Sequence, residues 1–337
     1  MSRTINYGLW YDFRNPAQWR EDFEVFYASR LQQIAEAEQL GFNSVWLTEH
    51  HFCDDGYTPS PLVVAAAIGA RTTNMHIGTN LMLLPLHDPV RMAEDCATLS
   101  LLTGGRFDLG VGIGYRQVEF DQFKRKVSHR PSLVEEGIEV IRRGWSGAPV
   151  NFAGKRFEVG DLCITPTPVH PPSILLGGMA VPAIDRAARI ADGFLSTGGL
   201  GLDSYCEALL RQGKTLAEGN IVLGNWAIIA EDPEAEANRI GEHILYQTNE
   251  YIKWGAFGPP DQAKLHDNVA SAVENGLYEL WDADMAVAKL SKLAKDYPMI
   301  SDIHFWAQFP GEPLESGNRR MRYIAEKVLP RLPRVTG

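Results

Sequence analysis

The sequence predicts an α/β fold, a (β/α)8 barrel of the TIM type with an insertion after its seventh strand. Three observations carry this expectation. Short apolar runs rich in branched and aromatic residues alternate with segments of helical spacing along almost all of the 337 residues. Eight such runs are separated by helices, which implies parallel pairing. No short internal repeat, low-complexity tract or second fold signature breaks the rhythm. The rival, a doubly wound open sheet, is therefore disfavoured. The chain reads as one barrel domain over residues 1–337, with its insertion at about 241–282.

Taken in order, residues 5–10 are the first strand. Residues 23–40 carry apolar side chains at helical spacing and stop at Gly41. Residues 43–48 form the second strand, and 61–73 an alanine-rich helix with proline near its start. The third strand spans 76–84, and the helix 89–102 is closed by Gly104-Gly105. The fourth strand is 107–112, followed by a helix from about 132 to 145. Residues 150–159 read as a hairpin about Ala153-Gly154, and 165–172 as an extended proline-rich stretch. Strand five is 174–176 with a helix at 181–191, and strand six is 193–197 with a helix at 202–217. Strand seven is 221–230, strand eight is 302–309, and a helix at 318–329 closes the chain. The insertion carries Tyr246, Tyr251, Trp254, Phe257, Pro259 and Pro260. It is too long for a simple connection and reads either as a lid or as a packing layer or subunit contact.

Composition excludes several classes. The chain is 45% hydrophobic and 22% charged, ordinary for a globular enzyme. No apolar run approaches the roughly 20 residues needed to span a bilayer. Met1-Ser2-Arg3-Thr4 lacks the apolar core of a signal peptide. Cys53, Cys96, Cys163 and Cys206 are widely spaced, with no CxxC pair, which fits a reducing cytoplasm. A net charge of −10 without a long Lys/Arg run makes a poor binder of nucleic acid or anionic membrane.

The densest chemistry is Glu49-His50-His51-Phe52, at the end of the strand Val45-Trp46-Leu47-Thr48 and before the turn Cys53-Asp54-Asp55-Gly56. Neighbours on a strand point to opposite sides, so His50 and His51 serve different places. Barrel enzymes put their chemistry at strand C-termini. There the layout also places Thr79-Asn80, Gly112 to Arg116, Gly177-Gly178-Met179-Ala180 and Ser196-Thr197-Gly198. Gly177-Gly178 ends a strand before a helix, where free amides make an anion site. Gly110-Val111-Gly112-Ile113-Gly114 lacks dinucleotide spacing and reads as barrel strand. Arg116 and Arg130 are candidate phosphate partners, and Asp12, Arg14 and Asn15 candidates for the pocket edge. Nothing near Cys53 marks it as an activated nucleophile. No metal site is expected, because the two histidines diverge and no third ligand is spaced to join them.

The segments Trp46 to Phe52, Leu84 to Asp95, Gly104 to Gly110, Gly177-Gly178, and Ala187-Ala188-Arg189 with Asp192-Gly193 together resemble the bacterial luciferase-like flavin monooxygenase family. The match covers 5 to about 200 well and the remainder more loosely. The resemblance implies that reduced FMN from a separate reductase binds at the strand C-termini, with dioxygen as co-substrate. It implies that His50 sits beside the reactive edge of the flavin; His50 is expected to be the principal catalytic residue, with Glu49 also catalytic and His51 mainly supporting His50. Thr79-Asn80 would lie beneath the ring, with a non-proline cis peptide expected there. Gly177, Gly178, Met179, Ala180 and Arg130 would hold the phosphate, with Ser196 also in the cofactor site. The family often dimerises, so a homodimer is expected. Gly112 and Ile113 stand where luciferase has a cysteine and an arginine, and Met179, Val181 and Pro182 replace hydroxyl side chains of its phosphate turn. These departures weaken any expectation of light emission or of luciferase's aldehyde substrate. A deazaflavin-dependent hydride-transferring oxidoreductase is the alternative on the same fold. A flavin-binding accessory protein is a third reading, disfavoured by the presence of Glu49 and His50. The substrate is expected to be small and hydrophobic.

Overall fold

The apolar runs form eight parallel strands, which we label β1 (Asn6–Tyr11), β2 (Ser44–Leu47), β3 (His76–Thr79), β4 (Phe107–Gly112), β5 (Ile174–Gly177), β6 (Gly193–Thr197), β7 (Ile221–Asn225) and β8 (Ile300–Trp306). They pair in the order β3-β2-β1-β8-β7-β6-β5-β4, and β3 pairs with β4 to close the barrel. The structure, a computed structural model, describes residues 4–332. The leader reading above therefore falls largely on Met1 to Arg3, outside the described residues. Among the described residues no helix is long and apolar enough to cross a membrane.

Helices pack around the strands where caps and stop signals place them. Asp88 accepts from the backbone N–H of Val90 and Arg91 to start Pro89–Thr103, which ends on left-handed Gly104 (φ 64°). The barrel interior is filled by large rings, and glycines make the room. A Cβ on Gly78 would lie 2.2 Å from the Trp46 ring, and one on Gly224 would lie 2.6 Å from Trp10. The hairpin forms from Val150–Ala153 and Glu158–Leu162.

Two strands stop five residues short of their predicted ends. β3 ends at Thr79, a cis peptide joins Asn80 to Leu81, and pairing with β4 resumes at Met82–Leu83. The cis bond thus lies one residue beyond the Thr79-Asn80 pair. β7 ends at Asn225, whose side-chain oxygen accepts from Ala227 N–H at 2.8 Å, a local turn that competes with the ladder. Ala227–Ile229 then leaves the barrel and pairs with Glu279–Trp281. The helix expected to run to 217 stops at Arg211, just before left-handed Gly213. The last helix starts earlier, at Leu314.

The insertion holds the helices Gly241–Trp254 and Val269–Glu274. The first lies against the C-terminal mouth of the barrel. Tyr246 Oη donates to Asp55 at 3.0 Å, Gln247 Nε2 to Asp12 at 3.1 Å, and the Tyr251 and Tyr57 hydroxyls meet at 2.9 Å.

Candidate active site

A cavity of about 370 Å³ opens at the strand C-termini. Its wall combines bare backbone at Gly112, Gly177 and Gly178 with apolar side chains from the barrel and from the insertion, among them Leu81, Leu195, Trp226, Tyr251 and Phe257. Of the residues expected at the site, Glu49, His50, Asn80, Arg130, Gly177, Gly178, Met179 and Ala180 line it.

Thr79 and Ser196 do not. Thr79 Oγ1 is spent on the Gly110 backbone, at 2.8 Å to O and 2.9 Å from N. Ser196 Oγ donates to Leu200 O at 2.8 Å. Along a strand alternate side chains face opposite ways, so the neighbours Asn80 and Thr197 reach the cavity instead. Arg116, the other candidate phosphate partner, is not among the residues that line the cavity. Its Nη1 donates to His51 O at 2.7 Å and lies 3.2 Å from Glu119, and its guanidinium sits 4.4 Å from the Trp254 ring. Asp12 and Arg14 lie beneath the insertion helix rather than in the wall. Burial pushes the Cys53 thiol up to about 12, so it carries no nucleophile role.

His50 and His51 diverge as expected. His50 Nδ1 lies 2.8 Å from Glu119 Oε1, and its Nε2 lies 2.9 Å from Tyr115 Oη. Glu119 is fully buried, and its Oε1 also accepts from His51 N–H at 2.9 Å. A carboxylate acceptor fixes the proton on Nδ1, which leaves Nε2 to accept from the tyrosine. Burial lowers the pKa of His50 against the opposing pull of Glu119, so the ring is neutral near pH 7. Burial also raises the Tyr115 hydroxyl well above its ordinary value, which keeps it a donor.

His51 turns to Glu49, with Nε2 to Oε1 at 2.9 Å, and His87 Nε2 reaches the same oxygen at 2.7 Å. Glu49 further accepts from Leu83 N–H. The structure thus supplies, in His87, the third group that the sequence spacing did not show. Glu49, His51 and His87 bring three ligand-type atoms within 4.8 Å of one another. Both imidazoles already donate to Glu49, and among the described residues neither outer ring nitrogen has the hydrogen bond that orients a metal-ligating histidine.

Arg130 also lines the cavity. Its Nε and Nη1 donate to Val127 O at 3.0 Å and Gly114 O at 2.6 Å. Two carbonyls therefore hold the guanidinium, and its Nη2 is unspent among the described residues. Met179 and Ala180 precede the helix Val181–Ile190, in whose first turn Pro182 has no N–H and Ala183 N–H donates to Ala180 O at 2.8 Å, so the anion-facing amides are those of the turn Gly178 to Val181. A guanidinium arm and a helix N-terminus on one wall suit a phosphate.

Sequence reasoning missed Glu119 and gave Tyr115 no role. Glu119 lies 69 positions from His50, in the short helix Gln117–Gln122, and nothing in its local pattern separates it from a surface glutamate. Only the return of the chain after β4 brings it to the imidazole.

A closed parallel barrel with a mainly apolar cavity, a buried histidine and an anion-suited lining defines a small-molecule binding site at the usual end of the fold. The family model for luciferase-like monooxygenases matches residues 13–292, and the chain belongs to that family. The F420-dependent glucose-6-phosphate dehydrogenase of Amycolatopsis mediterranei (strain U-32) is 31% identical over 195 residues, covering 56% of this chain and 59% of that one. The chain spans about half the length of the curated relatives it matches. Among solved structures, monooxygenase RslO1 from Streptomyces bottropensis superposes with a TM-score of 0.78 at 22% identity, covering 97% of this chain and 99% of that one. The oxygenating constituent of 3,6-diketocamphane monooxygenase from Pseudomonas putida, solved with FMN, gives 0.76 at 17%, covering 98% and 99%. At these identities the structures show the shared fold.

Proposed function

We propose that the chain is an FMN-dependent monooxygenase that takes reduced FMN from a separate flavin reductase and oxygenates a small, hydrophobic organic substrate. The observation that carries this reading is the neutral His50, held between Glu119 and Tyr115 at the edge of a mainly apolar cavity. Reduced FMN would supply the electrons with which one atom of dioxygen enters the substrate and the other leaves as water.

The protein's own residues have three tasks. Arg130 and the amides at Gly178 to Ala180 bind the phosphate, while the glycines of the wall let a flat ring approach the backbone. His50 Nε2 takes or returns a proton through the Tyr115 hydroxyl, and Glu119 steadies the imidazolium when it forms. The insertion helix covers the cavity with Tyr251 and keeps water out, which favours coupling of dioxygen to the substrate. Glu49 fixes the strand end from which His50 projects. The same reading takes the enzyme as a cytoplasmic homodimer, one barrel domain per chain, without nucleic-acid or membrane partners.

A second reading is favoured by the F420-dependent relative. In it the cofactor is a deazaflavin, hydride passes between it and a carbinol, and His50 is the base at the hydroxyl. One experiment separates the two. The protein is supplied with reduced FMN and isotopically labelled dioxygen over a panel of apolar ketones and alkanes, and separately with oxidised deazaflavin and alcohols without oxygen. Products carrying one labelled oxygen are expected. Oxygen-independent reduction of the deazaflavin, with no labelled product, would transfer the function to the second reading.

A further inference from the structure

The interior of the barrel contains a buried polar chain that the proposed chemistry does not use. Asp302 and His304, both on β8, are almost wholly buried and link the Trp46 ring to Asn80 of the cavity lining. Asp302 Oδ1 accepts from Trp46 Nε1 at 2.9 Å and lies 3.0 Å from His304 Nδ1. His304 Nε2 lies 3.1 Å from Asn80 Nδ2. The His304 ring stacks on Trp46, at 5.1 Å and 20°, and meets Trp10 edge-on at 5.1 Å.

The direction of each hydrogen bond follows from its neighbour. The indole N–H of Trp46 can only donate, so Asp302 Oδ1 is an acceptor. It takes the second proton from His304 Nδ1. Burial lowers the pKa of His304 despite the contact with Asp302, so the ring carries that proton alone. Nε2 is then a lone pair and must receive the Asn80 Nδ2–H. The amide cannot turn round without setting its carbonyl oxygen against that lone pair. Asn80 Oδ1 is left facing away from His304, with no hydrogen-bond partner among the described residues, on a side chain that lines the cavity. The backbone is pinned as well, since Asn80 N donates to Leu47 O at 2.6 Å and Asn80 O accepts from Trp10 Nε1 at 3.3 Å.

We propose that Asp302 and His304 are positioning residues that hold Asn80 as a hydrogen-bond acceptor in the cavity floor, so that the site selects a heteroaromatic ring presenting an N–H there. The inference rests on the FMN reading and adds the polarity of its ring-binding wall. A ring with a methyl group or carbon in place of that N–H leaves the acceptor unpaired.

The test is a set of binding titrations that needs no substrate. Oxidised FMN is compared with its N3-methyl analogue, and reduced FMN with reduced 5-deaza-FMN under anaerobic conditions. In the parent protein at least one pair is expected to show a preference of about tenfold for the ring bearing the N–H, the cost of one unpaired buried acceptor. His304→Gln keeps an acceptor where Nε2 stood and should retain the preference. His304→Asn keeps only the partner of Asp302 and should lose it. Asn80→Leu, which leaves the buried pair intact, should lose it too and repeats the test if the asparagine variant does not fold. Equal affinities within both pairs in the parent, or a preference unchanged in His304→Asn and Asn80→Leu, would overturn the inference while leaving FMN binding in place. A parent that binds neither FMN nor its analogues would overturn the FMN reading and this inference together.

Discussion

At the scale of the residue, the environment of His50 decides its chemistry. Its two nitrogens have separate partners, Glu119 and Tyr115, so the ring is oriented, of one tautomer and uncharged before any ligand arrives. His50→Ala should slow the chemical step by about a hundredfold or more, as for a lost general acid/base, while the affinity for FMN barely changes. Single-turnover kinetics of the reduced FMN complex with dioxygen and substrate measure both. A variant that turns over normally would remove His50 from the mechanism. Glu49 has a different role. Burial alone would raise its carboxyl, but the charges and hydrogen bonds of His87 and His51 outweigh burial and hold it at about 2. Its ordinary value is 4.5. Because the folded value is the lower one, this stabilisation is present above 4.5 and is lost as pH falls through about 2. His87 is raised from 6.5 by Glu49 although burial pulls it down, so its share is complete below 6.5 and fades as pH rises past the raised value. Urea unfolding across the acid range should therefore show stability falling below pH 4.5 in the parent, and a flatter acid limb in Glu49→Gln. Identical acid limbs would contradict the assignment. The Glu-His-His run and its divergence were legible in the sequence because local pattern marks the strand end that carries them, while Arg130 was singled out by the family resemblance and lines the cavity. Glu119 and His87 were not, because their partners lie 69 and 38 positions away and no local signal encodes such a meeting.

At the scale of the element, the ends of strands were the hardest to read. The run 221–230 has no polar side chain but Asn225, so hydrophobicity alone continues the strand, whereas the Asn225 side chain bonds Ala227 N–H and ends it. The same break sends Ala227–Ile229 outward to pair with the far end of the insertion. The buried cation Arg14 helps fasten the insertion helix Gly241–Trp254 to the barrel. Arg14 donates through Nε to Asp55 at 2.6 Å, and its guanidinium lies within 4.8 to 5.7 Å of the rings of Tyr57, Tyr246, Tyr251 and Trp254. Three of those rings belong to the insertion helix, so the aromatics that the sequence left open between lid and subunit contact pack on the barrel mouth. Arg14→Met leaves Asp55 buried without its cation and should cost about 3–5 kcal/mol. Thermal unfolding should register the loss, and limited proteolysis should cut first within 241–254. An unchanged midpoint would show that the clamp is dispensable.

At the scale of the molecule, the alternation of strand and helix gave the barrel, and the barrel gave the site. Closure of β3 onto β4 brings the ends of β2, β3, β4, β5 and β6 to one face, where the cavity opens. Periodicity reveals this because burial on both faces of a parallel strand leaves a continuous apolar run. It does not reveal which side chains fill the interior, since Trp46, Asp302 and His304 meet only after closure. The central claim is that this cavity holds reduced FMN by its phosphate at one end and its ring near His50. Anaerobic calorimetry of reduced FMN and reduced riboflavin against the parent and Arg130→Ala tests it directly. FMN should bind more tightly than riboflavin in the parent, and Arg130→Ala should weaken FMN by about tenfold or more, the worth of a charged hydrogen bond, while leaving riboflavin unaffected. Equal affinity of the parent for FMN and riboflavin, or an Arg130→Ala variant that binds FMN as the parent does, would contradict it.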